Sequence, residues 1–269
     1  MIKHLTILFA ILFLNSSKIF AQLSIEEDSF LQQKINYDVK LISQFVDRFN
    51  FCEPLKLSTE GFASRKMNLL SLMDFKDTGI IHNPETLEFL RFVSNESNHI
   101  FLDYGDSNWF AIVHCFFNYH KAILPVDIIL RPEGIIGNGY CWVIDGVNSD
   151  IFNFPHRDDR SMFFINPKNH EIGFTELTKA LQRNNNVSSY TSITFTPEAL
   201  SVFLFLVQND YLKFKQINSI EFQFFQIPGW MFIVKNFNRK DFNSGWLITS
   251  LKKMDEQTKH NYILKQLKN

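Results

Sequence analysis

The stretch NPETLEFLRFV, from Asn83, and the stretch TPEALSVFLFLV, from Thr196, place the same Pro-Glu-x-Leu opening ahead of an apolar run. Pro presets the backbone of a first helical turn and Glu complements the helix dipole there, so each predicts a helix start. Aromatic strand segments then follow in the same order. The first run reads Pro84, Asn108-Trp109-Phe110-x-Ile112-Val113, Cys141-Trp142-Val143-Ile144; the second reads Pro197, Gly229-Trp230-x-Phe232-Ile233-Val234, Gly245-Trp246-Leu247-Ile248. All four Trp stand at corresponding points, with offsets of 113, 121 and 104 residues, so the loops must differ in length. The order predicts an α+β chain of two related units, 22–150 and 151–269, each with helices packed on a strongly curved antiparallel sheet. Coincidence is the competing reading, because Pro-Glu opens many helices and aromatic strands align freely.

Periodicity fills in the rest. Ile25 to Phe51 has apolar residues at spacings of three to five and a Ser24/Glu27 capping box, which predicts one long amphipathic helix. Pro54 and Gly61 break the chain before a second helix over Ala63 to Phe75, and Asn83 caps a third over Pro84 to Val93. The period then shortens to two. HIFLDYG, NWFAIVHCFFNYHK, VDIILR and GYCWVIDGV read as an antiparallel meander, and apolar residues at both parities of Trp109 to Lys121 predict a strand covered on both faces. Asn148 to Asn169 is the polar connector expected between units. A helix over Ile172 to Arg183, a strand near Ser189 to Phe195, a helix from Pro197 to about Tyr211, three strands (SIEFQFFQI, GWMFIVKNFN, GWLITSLKKM) and a basic tail helix, Glu256 to Lys268, complete the reading.

The first 21 residues have a basic start, Lys3 and His4, an apolar run from Leu5 to Leu14 and a polar stretch to Ala21. This is the layout of a secretory signal peptide, too short to span a bilayer, with retention as a short anchor the alternative. Export places the mature chain in the periplasm or outside the cell. Cleavage removes Lys3 and Lys18, leaving 25 basic against 28 acidic residues, a net of −3 that gives no broad electrostatic reason to bind nucleic acid. No later apolar run is long enough to cross a membrane. Three cysteines, Cys52, Cys115 and Cys141, allow one bridge at most; Cys115 and Cys141 are the pair if their strands are neighbours, and three reduced thiols are the alternative.

The strings FVDRFNF, Phe45 to Phe51, and SRKMNLLSLMDF, Ser64 to Phe75, ahead of a twisted antiparallel sheet, resemble the N-terminal helices of exported bacterial members of the nuclear-transport-factor-two-like and cystatin-like superfamily. The resemblance implies a cone-shaped α+β fold. Enzymatic members place Asp and His inside the cone, but no motif for that pair is found here, so the resemblance carries over no catalytic residue.

Three groups of residues bear chemistry. Period two puts His114, Phe116, Asn118 and His120 on one strand face, with the two histidines about 20 Å apart, too far to share a metal ion. PHRDDR, Pro155 to Arg160, sets His156, Asp158 and Asp159 close to two arginines, and carboxylate beside imidazole, as in His156 with Asp158, is what general-base chemistry requires; His114 with Asp145 is the other such pair. Tyr104, Trp109, Tyr140 and Trp142, near Asp103, Asp106 and Asp145, could form an aromatic platform with acceptors for a sugar or peptide, or be core rings and turn acids. No phosphate loop, nucleophile elbow, paired CxxC, metal site or cofactor signature occurs. The expected function is an exported soluble protein that binds another protein or a small envelope ligand. A small-molecule hydrolase or isomerase with a site inside one cone is one alternative, and a structural or assembly component of the envelope is another.

Overall fold

The computed structural model describes residues 38–39, 41–52, 64–95, 100–135, 139–152, 181–182, 191–192, 195–240 and 242–268. Their order is β1 (Asp38–Val39), α1 (Ile42–Phe49), α2 (Arg65–Ser71), α3 (Thr78–Ile81), α4 (Pro84–Val93), β2 (Trp109–Tyr119), β3 (Ala122–Ile135), β4 (Gly139–Asn148), a 3-10 turn (Asp150–Phe152), α5 (Ala199–Gln208), β5 (Leu212–Phe224), β6 (Trp230–Phe237), β7 (Ser244–Lys253) and α6 (Glu256–Lys268). The fold is α+β. Six strands form an antiparallel sheet in the order β4-β3-β2-β5-β6-β7, and β1 adds a two-residue parallel edge on β7 through Asp38 and Val39 opposite Ser244 and Gly245. The six are two meanders, β2-β3-β4 and β5-β6-β7, joined through their first strands. No described helix is long and apolar enough to cross a membrane.

The chain divides into two compact units, each drawing on both sides of position 150: residues 1–111, 132–141 and 220–259, and residues 112–131, 142–219 and 260–269. In the first, aromatic rings fill the core. Phe224 lies opposite Phe232 in the β5–β6 register, and the two rings stack at 4.9 Å. Phe49 of α1 stacks on Phe232 at 5.7 Å, Phe89 of α4 meets Trp230 edge-on at 5.5 Å, and Trp109 stacks on Phe224 at 5.0 Å. Offset and edge-on ring pairs of this kind add to what their buried area contributes. α4 begins as the sequence predicts: Asn83 Oδ1 accepts from the Glu85 N–H at 2.9 Å, and Pro84 occupies the first turn.

Buried polar groups fix the element ends. Arg239 Nη1 donates to Asp74 Oδ1 at 2.7 Å, while Asn243 donates to the Ser71 and Met73 carbonyls and accepts from the Phe75 N–H. This ties the exit of α2 to the β6–β7 hairpin. At the start of α6, Lys259 Nζ is buried and donates to the Phe225 and Ile227 carbonyls, at 3.0 and 2.7 Å, and to Glu256.

In the second unit Phe117 of β2 meets Phe203 of α5 and Phe214 of β5 edge-on, each at 5.6 Å, and Phe152 closes on Phe203 at 6.2 Å. Gly146 on β4 leaves room for Ile129 and for the backbone of Leu267, each within 3.6 Å of where a Cβ would stand.

Four local expectations are corrected. The helix expected over Ile25 to Phe51 is not continuous, because Asp38 and Val39 pair with the edge of β7 and Leu41 is extended before α1. Local spacing cannot register a distant sheet edge; residues 25–37 lie outside the described residues. The strand expected at HIFLDYG is a loop over its described part. Asn50 binds both the N–H and the carbonyl of Leu102, and Asp103 turns the chain by accepting from Gly105, so neither group is left for a ladder. α2 stops short of Phe75 because the chain at Leu72 to Asp74 bonds to Ile248 instead. Residues 191, 192 and 195 of the strand expected near Ser189 to Phe195 are not extended in a sheet, whereas β5 starts seven residues before SIEFQFFQI, at Leu212. The expected signal peptide lies outside the described residues, as do most of the expected connector and of the helix expected over Ile172 to Arg183, of which 181 and 182 are helical.

Candidate interaction surface

α5 is the feature that sets the second unit apart. Its ten residues, ALSVFLFLVQ, are apolar except for Ser201 and Gln208, and Phe203 alone among them is buried. Glu198, extended, precedes the first turn, where Ser201 donates to its carboxylate at 2.6 Å. The helix stops because Asp210 adopts a left-handed conformation, φ 61°, and the Tyr211 N–H returns to the Leu206 carbonyl at 2.9 Å. That reversal feeds the chain straight into β5 at the buried Leu212.

A helix apolar around its whole circumference is normally enclosed. Here Leu204 is 40% exposed, Phe205 58% and Val207 36%, with Tyr211 at 53% and Phe214 at 57% beside them. Phe205 and Tyr211 stack at 6.3 Å, and Phe214 rests on Phe117, which in turn holds Phe203. The open Phe214 ring is thus anchored from beneath by the buried Phe117. Leu200, half-buried, extends the outward stripe at the i, i+4, i+7 spacing of Leu200, Leu204 and Val207.

The residues singled out in the sequence take separate places. Trp109 is 2% exposed, stacked on Phe224, with its indole N–H donating to the Tyr104 carbonyl at 3.3 Å. Its ring belongs to the core and offers no face to a ligand. Tyr104 packs edge-on against Trp109, and no partner for its hydroxyl is found among the described residues. Burial, reinforced by Asp47, pushes this phenol up to about 12. Tyr140 is exposed but lies across Gly105, where a Cβ would stand 2.2 Å from its hydroxyl. Trp142 is exposed on β4. Asp103 and Asp106 accept backbone N–H groups in turns, from Gly105 and Asn108.

His114 Nδ1 lies 2.7 Å from Asp127 Oδ1, both side chains about a third exposed, and Asp145 pairs with Arg131 at 3.0 Å. His114 is therefore matched with Asp127 and not with Asp145. The two-residue turn at His120 and Lys121 could have revealed this, because it sets position 114 opposite 127 across the hairpin. Burial raises the thiol pKa of Cys115 beside this pair, and Asp127 adds to the effect. All three cysteines are unbridged. His156 and Asp158 lie outside the described residues. No group of three His, Cys, Asp or Glu residues able to hold a metal ion occurs among the described residues.

The α5 surface escaped the sequence reading, although its signal was in plain view. Eight apolar residues out of ten exceed what a helix with one covered stripe needs. No family model, curated protein or solved structure matches the chain.

Proposed function

We propose that the protein is an exported binding protein of the cell envelope that receives a protein partner on the apolar surface of α5. The observation that carries the reading is the exposure of Leu204, Phe205 and Val207 on a helix whose composition calls for enclosure, with Tyr211 and Phe214 open beside it. The leader-like residues 1–21 support export. An apolar probe, 8-anilinonaphthalene-1-sulfonate, should bind the chain at concentrations low enough to keep it monomeric, and Phe205→Asp should remove most of that signal while leaving the far-ultraviolet circular dichroism unchanged. A wild-type monomer that fails to bind the probe at all overturns the reading.

The two runs of helix and three strands, α4-β2-β3-β4 and α5-β5-β6-β7, are read with it as related units. The support is the strand order, which runs third, second, first, first, second, third. A crystal structure in which the two runs do not superpose strand for strand overturns the duplication. A hydrolase or isomerase has one geometric support, the His114–Asp127 pair, since an imidazole oriented by a carboxylate is the core of general-base chemistry. Substrate turnover lost in His114→Gln and Asp127→Asn would favour that alternative.

A further inference from the structure

We propose that the partner for α5 is a second copy of the same chain, the two helices lying antiparallel across a two-fold axis. The inference rests on the α5 surface being a docking face and names its occupant. The first argument is area. Large apolar side chains each carry roughly 150–250 Å², so the exposed fractions of Leu204, Phe205, Val207, Tyr211 and Phe214 leave on the order of 450 Å² open per copy. Interfaces are about 60% apolar, which scales this patch to roughly 750 Å², close to the ~800 Å² per partner of a stable complex.

Shape is the second argument. Leu200, Leu204 and Val207 form the narrow stripe that one helix presents to another, and ten residues give a contact about 15 Å long. Charge is the third, and it selects the direction. Glu198 stands at the start of α5, while Asp210, Lys213 and Lys215 leave a net positive charge just past its end, with Lys213 3.6 Å from Asp210. Antiparallel apposition brings Glu198 of one copy towards Lys213 of the other and opposes the two helix dipoles. Parallel apposition stacks like on like. A self-complementary face of this kind is what an isologous dimer requires.

Sedimentation velocity of the purified chain at tens of micromolar should give twice the monomer mass. Phe205→Asp and Leu204→Asp, both at exposed positions, should each weaken association at least about 100-fold with the circular dichroism unchanged. Glu198→Lys and Lys213→Glu should each weaken it several-fold and restore it when combined. A monomeric wild type, or a dimer indifferent to both aspartate variants, overturns the proposal, and a dimer without charge-swap rescue overturns the antiparallel arrangement. A monomer that still binds the apolar probe through Phe205 means that another protein or a lipid surface occupies α5. A monomer that binds no probe removes the docking face itself.

Discussion

Asp74 and Arg239, 165 residues apart, meet at 2.7 Å with little of either side chain exposed, and Arg239 also lies over the Phe237 ring at 3.9 Å. The pair closes the α2 exit onto the β6–β7 hairpin. Truncating one member strands the other charge in a poorly hydrated place, which costs about 3 kcal/mol. Asp74→Ala and Arg239→Ala should each lower the thermal midpoint by roughly 6–12 °C for a chain of this size. Arg239→Met together with Asp74→Leu should recover much of that loss, because an apolar pair removes the desolvation cost as well as the attraction. Urea melts that left either single variant at the wild-type midpoint would show the bridge to be solvated.

Trp109 and Trp142 belong to the same aromatic platform expected from the sequence, yet only one is enclosed. Trp109→Ala empties the space between Tyr104, Phe222 and Phe224 and should cost about 3–5 kcal/mol. Trp142→Ala, at an exposed position, should change the urea midpoint far less. Equal losses in the two variants would contradict the difference in enclosure.

What the sequence conveyed and what it withheld divide along physical lines. The start of α4 was legible because Asn83, Pro84 and Glu85 specify it within three residues, and β6 and β7 were legible because alternation is a local signal. β1 was not, since a two-residue strand exists only by virtue of the β7 edge beside it. The same limit hid Asn50, whose side chain holds Leu102 across 52 residues and keeps HIFLDYG out of the sheet. For the site, composition announced that α5 is apolar but not that its outer stripe stays open, because exposure depends on what packs against a helix. Asp127 was the nearer miss, being fixed opposite His114 by the length of one turn.

Tyr104 titrates late. Its phenol is held neutral by burial and by Asp47, up to about 12 against the ordinary 10.0. The folded pKa is raised, so the stabilisation is complete below pH 10 and is lost as pH climbs from 10 towards 12, where the unfolded chain has already released its proton. Tyr104→Phe should shift the alkaline unfolding midpoint upward and remove a late-ionising phenol from an absorbance titration near 295 nm. At pH 7 the same variant should be neutral or slightly stabilising, since the hydroxyl has no partner among the described residues. An unchanged titration curve would place Tyr104 in water.

Lys259 holds α6 to the turn after β5 by three hydrogen bonds from one buried ammonium: to the Phe225 and Ile227 carbonyls and to Glu256. Glu256 also accepts from the Gly229 N–H at 3.3 Å, so carboxylate and ammonium together satisfy a turn that Gly229 makes at φ 75°. Lys259→Met keeps the stem and deletes the donors, so the Phe225 and Ile227 carbonyls each lose a hydrogen bond while Ile227 keeps the one from the Trp230 N–H, and it should cost about 2 kcal/mol with amide exchange in α6 accelerated ahead of the core. The acid side follows from Glu256, whose carboxyl is held below its ordinary 4.5, first by the Lys259 hydrogen bond. A depressed folded pKa means that its stabilisation is complete above pH 4.5 and is lost as pH falls through the lowered value. Glu256→Gln should therefore flatten the loss of stability below pH 4.5 and leave the region above pH 6 with a constant offset. If the acid limb kept its wild-type slope, the coupling between Glu256 and Lys259 would be screened by solvent.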